Sequence, residues 1–577
     1  MILTLIIVVD YWLLWFARKH LTTPWNLEIH LLVTLLVLLM NLMFLCSHSP
    51  LFGTIEKRLS GFLSRPLGFL AKWVDRNAAL ILVAVLAYGT VIRFNIIFSY
   101  PIDRSFADML PLIQKAIAST LSGENPYRFY QMPWPLPLVY FPMLWISYIP
   151  SYLLRMDIRF TGIVICVVIF FIFWFESRRI DSADRRGPVR RLLVFALGIS
   201  FFLSDYVIFF TASGHSFPYW LFLTLYLDCL YNDRMGWAAI FLGFSVAARQ
   251  PAVFLVPFFL IYAWKNAPPK KFVFWATLLI FTGILLILPF FLANPKAFIS
   301  DALGNVGGEL SYGWRPAILG SIGFTNIFYL LKLTGFLKYI QLGILTILFA
   351  LGLIKVRKKS SLYVFSGITI LFYNMFLFHI PVHYFYIPVF LILSFAVLEQ
   401  LKVQTEVSPS VSFSWGKFLR PLAAALTPVV LLFLLFSDIR KPLGSDRINL
   451  HKGFEQKEQN EHGVPFNWAI GGRAVASIAI SWIDIVSGKD KLFVFDAFPF
   501  AYSGSPPQTM KILFNDLPLS NLRMKQGWNR YRLTLPARFL IIGSNKFVFE
   551  FAYATAPRDV RSGGDRRRLS AAFRFYR

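Results

Sequence analysis

The stretch LPLVYFPMLWISYIPSYLL, residues 136–154, is apolar enough to cross a membrane and too rich in proline to do it as one helix. Pro137, Pro142 and Pro150 each remove a backbone donor and clash with the preceding turn. How this stretch lies decides the topology around it. The segment ESRRIDSADRRGPVRR, 176–191, holds six arginines, and the loop 47–77 holds Lys57, Arg58, Arg65, Lys72 and Arg76. Short basic loops stay in the cytoplasm. One apolar run, about 78–98, follows the first loop, and another, about 159–175, precedes the second. Both loops reach the same side only if 136–154 does not cross. It is therefore expected to lie half-buried at the outer surface.

The whole chain supports a membrane setting. It has 577 residues, 57% of them hydrophobic, and a mean hydropathy of +0.59. Soluble domains are about 45–50% apolar. The opening MILTLIIVVDYWLLWF lacks a basic leader and a small-residue cleavage site, so it is expected to be a retained first helix. The net charge of +27 lies largely in short loops, where it sets topology, rather than in a nucleic-acid-binding stripe. Its excess suits anionic lipid headgroups. Cys46, Cys166 and Cys229 stand far apart and offer neither a metal site nor a disulfide framework.

Alternation places further helices near 192–212, 216–231, 272–293, 337–356, 361–378, 384–400 and 420–437. GWAAIFLGFSVAARQPAVFLVPFFLIYAWK, Gly236–Lys265, begins and ends in cytoplasmic-type sequence and carries Arg249-Gln250-Pro251 at its middle, which predicts a hairpin with its apex outward. The expected fold is a polytopic α-helical membrane protein of about 11–13 spanning helices. Residues 1–77 form N-terminal helices and a basic loop, and 78–437 a membrane core. After Ser437 the chain changes to short alternating runs such as KLFVFDAF and NKFVFEFAY with turn signals between, which predicts an extracytoplasmic β-sandwich over 438–577. Its Trp468, Trp482, Trp528 and Tyr531 suit either a core or a carbohydrate-binding face.

Five constellations outside the cytoplasm can carry chemistry. Asp103 and Asp108 open a loop, IDRSFADMLPLIQKAIASTLSGENPY, whose helix-like middle ends in a Gly-Glu-Asn-Pro-Tyr turn. A carboxylate held there can take a proton from an attacking hydroxyl. Arg249, with Gln250, is an intramembrane cation suited to phosphate. His215 sits at a helix junction, and His379, His383, Tyr384 and Tyr386 in a late outer turn. The loop 294–335, with Asp301, Asn305, Glu309, Tyr312, Trp314 and Arg315, suits a lid. No P-loop, HExxH, GxSxG or CxxC stands in a supporting context, which argues against an ATP-driven pump, a zinc protease and a serine hydrolase.

In order along the chain, Asp108 with Gly123–Tyr127, the segment MPWPLPLVYFP, Gly214-His215, LGFSVAARQP and VHYFYIP resemble the motifs of GT-C superfamily glycosyltransferases, nearest to the bacterial polyprenyl-phosphate-mannose-dependent mannosyltransferases. The resemblance covers roughly 78–400. It implies a polyprenyl-phosphate-linked sugar donor, a glycan or lipid acceptor and an inverting displacement at the outer face of a bacterial cytoplasmic membrane. It carries the base to Asp108 first and Asp103 second, donor phosphate binding to Arg249 and Gln250, and substrate contacts to Asn125, Tyr127, His215, His383, Tyr384 and Tyr386. The family's hairpin lysine is Arg249 here and its glutamine after glycine is His215, so the sugar is left open. No cofactor is required; a divalent metal is an option for which no ligand set stands out. The alternatives are a polysaccharide polymerase or ligase, which should carry its key loop late, and a transporter, which should show two related halves.

Overall fold

The computed structural model describes residues 2–20, 27–46, 54, 67–104, 107–132, 135–180, 187–303, 323–377, 382–403, 426–434, 448–459, 464–560 and 565–575. Most of them are helical, and a sheet-rich region closes the chain. Among the described residues five helical segments are long and apolar enough to cross a membrane: Ala78–Ser99, Arg159–Arg179, Gly187–Ser213 with a break at 203–204, Pro269–Ala293 and Thr334–Lys355. Arg159–Arg179 is central, with 72% of its apolar window buried, whereas Pro269–Ala293 is 11% buried and turns its Phe and Leu side chains outward.

The stretch 136–154 does not form a helix of spanning length. It forms two one-turn helices, Pro142–Ile146 and Ile149–Leu153, each with proline in its first two positions, where the missing N–H costs nothing. Leu144, Trp145 and Tyr148 are buried, and Leu153 and Leu154 are exposed. The single half-buried helix expected from the sequence is thus two, because the prolines restart rather than tilt it. Before it, β1 (Tyr130–Gln131) and β2 (Pro135–Leu136) make a small antiparallel hairpin.

The hairpin 236–265 is present. Met235–Ala248 is helical, Arg249 is extended (φ −148°, ψ 139°), a 3-10 turn runs Gln250–Leu255, and Val256–Asn266 returns. Both arms end at one end of the bundle: Asp233 pairs with Lys359 at 2.6 Å, and Asn266 Nδ2 donates to the Arg357 carbonyl at 3.2 Å. Gly243 allows the close crossing with Pro269–Ala293, since a Cβ there would collide with Thr282 Oγ1. The basic loops gather at this same end, with Arg178 and Arg191 both on Asp75.

The helix expected over 192–212 breaks after Phe202 and resumes at Asp205. Arg93, buried in Ala78–Ser99, supplies the reason. Its Nη2 donates to the freed Phe202 carbonyl at 2.6 Å and its guanidinium lies 4.5 Å from the Phe202 ring centre. A helix end buried in an apolar bundle needs such a donor.

The C-terminal region holds two five-stranded antiparallel sheets. Its strands are β3 (Asn449–Leu450), β4 (Glu458–Gln459), β5 (Pro465–Ile470), β6 (Arg473–Ile480), β7 (Lys491–Pro499), β8 (Thr509–Phe514), β9 (Leu517–Arg523), β10 (Asn529–Leu535), β11 (Gly543–Phe551) and β12 (Leu569–Phe575). One sheet is ordered β10-β7-β12-β5-β4 and the other β3-β6-β11-β8-β9. Alternate residues of both, among them Ala476, Phe495, Phe547, Phe549 and Phe573, share one apolar cluster.

The second sheet is docked on the helices. Its outward Arg473 binds Asp103 through both carboxylate oxygens, at 2.8 and 3.3 Å, and Lys546 Nζ reaches the same group at 3.1 Å. The Asp103 side chain is fully buried. Beside it the chain 155–157 pairs with Ile542, whose N–H donates to the Arg155 carbonyl at 2.8 Å while its carbonyl accepts from Asp157 at 3.0 Å. Asp157 and Arg159 form a buried ion pair, and Arg159 caps the Ile97 carbonyl at 3.0 Å. Phe433 of the helical stretch 426–434 packs on Phe94, Phe98 and Phe160.

Two outcomes follow from this junction. Asp103→Asn strands Arg473, while Lys546 keeps Asp516 at 2.8 Å, so it should cost about 3 kcal/mol, the lower end for a broken buried pair because Arg473 also keeps some solvent; thermal unfolding of the purified protein checks it. His451 lies near Asp103, but burial outweighs that carboxylate and holds its pKa at about 4. Between the ordinary value of about 6.5 and about 4 the unfolded chain binds a proton that the folded one refuses. Stability should fall as pH drops through that window and level off below it, and His451→Gln should flatten that part of the profile.

Candidate functional site

The residues nominated by sequence separate into one cluster and two outliers. The cluster forms where the outer loop, the 136–154 stretch and three helix ends meet. Asp108 stands at the N-terminus of helix Met109–Leu121 without capping it, and is half-buried. Next to it, Met109 Sδ accepts a hydrogen bond from the Tyr140 hydroxyl. The Tyr140 ring lies 4.4 Å from His215, centre to centre, and its carbonyl accepts from the Tyr127 hydroxyl at 2.8 Å. Tyr127 is set by the Gly-Glu-Asn-Pro-Tyr turn: Asn125 Oδ1 accepts from the Tyr127 N–H at 2.9 Å, and Gly123 takes φ +79°.

Arg249 joins from the hairpin apex. Its Nη1 donates to Ser216 Oγ at 2.6 Å, directly after His215. The break in the helix is what delivers it, because Arg249 is the one extended residue between two helical arms. Gln250 closes the circle, with Nε2 donating to the Val139 carbonyl at 3.1 Å and the Ala302 carbonyl at 2.8 Å. Beside that contact, Asp301 lies in the short helix Ile299–Leu303, almost fully buried, with Oδ1 accepting from Ser300 at 2.8 Å. Burial pushes its carboxyl pKa up and also raises that of the neighbouring Tyr127 hydroxyl.

The site is recessed. Phe217–Tyr231 and Met235–Ala248 have 15 and 14 residues, against 22 for Ala78–Ser99. At 1.5 Å per residue that difference is on the order of 10 Å, and His215 and Ser216, just before the shorter pair, are fully buried. The arrangement joins a carboxylate at a loop edge to a cation in an apolar recess.

Asp103 lies outside this cluster, engaged by Arg473 and Lys546, which removes it as a base able to reach an acceptor. Tyr386 lies outside it too: its hydroxyl donates to Asp10 Oδ2, which also accepts from Asn41 at 2.7 Å, tying three helices together. Gln250 is committed to two carbonyls, which corrects its phosphate-binding role to a tether. His215 is fully buried against the Tyr140 ring. His379 and the side chains of His383 and Tyr384 lie outside the described residues, as do Asn305, Glu309, Tyr312, Trp314 and Arg315. Tyr140 and Ser216 were not singled out by sequence; the only signal was their place beside the nominated motifs.

Among the described residues no group of three or more His, Cys, Asp or Glu is placed to hold a metal ion. No protein-family model, curated protein or solved structure matches the chain.

Gln250→Ala leaves two buried carbonyls without their donor and unties the hairpin apex from residues 139 and 302. A loss of about 2 kcal/mol is expected, read as a lower unfolding temperature in detergent.

Proposed function

We propose that the chain is a polytopic membrane glycosyltransferase of GT-C type. It moves a sugar from a polyprenyl-phosphate-linked donor to a glycan or lipid acceptor at the outer face of a bacterial cytoplasmic membrane, with a β-sandwich outside that membrane. The observation that carries this is Arg249, held at the break of a re-entrant hairpin, within a cluster that the Asp108 loop also enters. Five membrane-length helices, one of them apolar and almost wholly outward-facing, support the setting.

The chemistry follows from those positions. Asp108 accepts the proton of the acceptor hydroxyl, whose oxygen then bonds to the anomeric carbon. The bond from that carbon to the phosphate oxygen breaks, and polyprenyl phosphate leaves with the electron pair. Arg249 meets the growing charge on phosphate, where water is scarce and a fixed cation acts strongly. No nucleotide is needed, because the donor already carries its leaving group. Asn125 and Tyr127 shape the loop, and His215 and Tyr140 hold its floor.

The test is transfer from a panel of radiolabelled polyprenyl-phosphate sugars in membranes. Asp108→Asn should lower transfer about 10²–10⁴-fold, as for loss of a general base. Arg249→Gln should lower it about 10²–10³-fold. Asp103→Asn, assayed below its unfolding temperature, should lower it far less than Asp108→Asn, since Asp103 anchors the loop but touches no substrate. Failure of every donor with abundant folded protein would sink the proposal in favour of a polymerase, ligase or transporter.

A further inference from the structure

We propose that the outward face of the β10-β7-β12-β5-β4 sheet binds an anionic oligosaccharide. That the ligand is a glycan rests on the outer-face transferase reading; the aromatic and basic geometry stands without it. One face of this sheet is core, through Phe495, Ala497, Ala571 and Phe573. The other sheet spends its outward face on the helices, through Arg473 and Lys546. The remaining face is directed away from the bundle and by alternation should be polar.

It is aromatic instead. Register places Trp468, Ala572 and Phe498 in one row across β5, β12 and β7, and Arg574, Asp496 and Arg530 in the row beside it. Phe466 and Trp528 complete the shelf. None of Phe466, Trp468, Phe498 and Trp528 belongs to either apolar cluster among the described residues. The rings form a ladder: Trp528 to Phe466 is 5.9 Å, Phe466 to Trp468 6.0 Å, Trp468 to Phe500 6.1 Å, Phe500 to Tyr502 6.4 Å and Tyr502 to Tyr553 6.2 Å. It ends at a cavity of about 260 Å³ lined by Tyr553, Ser505, Pro507, Gln508, Arg523 and Gln526. Pyranose rings offer apolar C–H faces to such rings and hydroxyls to such a rim.

The charge on this face is basic. Arg530 and Arg532 project outward from β10, and Asp496 is held by Arg530 at 3.1 Å. The Arg574 guanidinium lies 3.8 Å from the Trp528 ring centre, with its Nε and Nη2 enclosed and without a hydrogen-bond partner among the described residues. The exposed Arg532, beside Arg530, offers a sugar carboxylate paired N–H donors.

The full chain in phosphatidylcholine nanodiscs should be titrated with fluorescent hexagalacturonate, maltohexaose and a short oligothymidylate. Wild type should bind hexagalacturonate. Trp468→Ala and Trp528→Ala should each weaken it about tenfold, while Trp468→Phe keeps most of it and shows the fold intact. Arg532→Gln should weaken hexagalacturonate and leave maltohexaose unchanged. No binding by wild type, or binding indifferent to both tryptophans, overturns the proposal. Equal affinity for maltohexaose overturns its charge requirement, and preference for oligothymidylate reassigns the face to nucleic acid. Binding by a protein that transfers nothing would sink the transferase reading alone; transfer without binding would sink this one alone.

Discussion

A buried carboxylate between two cations holds the two halves of this molecule together. Asp103 has no exposed side-chain surface, and desolvating it would be prohibitive without Arg473 and Lys546. Both cations come from the sheet region, and the carboxylate comes from the chain leaving helix Ala78–Ser99. The loop that carries Asp108 therefore starts from a fixed point set by the far domain. Ile542 adds a backbone clamp at 155–157, so the loop and the 136–154 stretch are both anchored to the same sheet. Side chains in the recess can hold their geometry only because the segments that bring them are pinned outside it.

Within the bundle the governing constraint is that a broken helix must satisfy its backbone. The break after Phe202 has Arg93; the break at Arg249 places a cation at the gap and lets Gln250 bind two carbonyls from other segments. These interruptions cost hydrogen bonds that an unbroken helix would keep, and the polar side chains nearby offset that cost.

The coarse plan was legible because it rests on strong local signals. Three prolines marked 136–154 as unable to form one long helix, and Ala-Arg-Gln-Pro within an apolar run marked the hairpin. The division after Ser437 was visible as a change of hydrophobic period from helix to strand. What the sequence hid was partnership over distance. Asp103 is 370 residues from Arg473, and Tyr386 376 from Asp10. Nothing in an isolated acidic loop separates a carboxylate committed to docking from one left half-buried at a helix start. The same holds for Gln250, whose neighbours in sequence suggest phosphate and whose neighbours in space are carbonyls. Residues that only support others, such as Tyr140 inside MPWPLPLVYFP and Ser216 after Gly214-His215, are not distinguished from their neighbours by sequence.

The two sheets show the same division of labour at the level of a domain. Their strands share one cluster, so folding alone explains Phe495, Phe547, Phe549 and Phe573. Docking explains the outward Arg473 and Lys546. After both are subtracted, Trp468, Phe498 and Trp528 are large rings on a face that neither the core nor the bundle requires. These rings are half-buried against one another and keep part of their faces open. A membrane enzyme working on a lipid-tethered donor has the opposite problem with a long, hydrophilic acceptor, which diffuses away. A face that keeps such a chain near the membrane raises its local concentration without touching the chemistry. The sheet that docks and the sheet that grips would then serve one end: the first fixes where Asp108 stands, and the second keeps the acceptor within its reach.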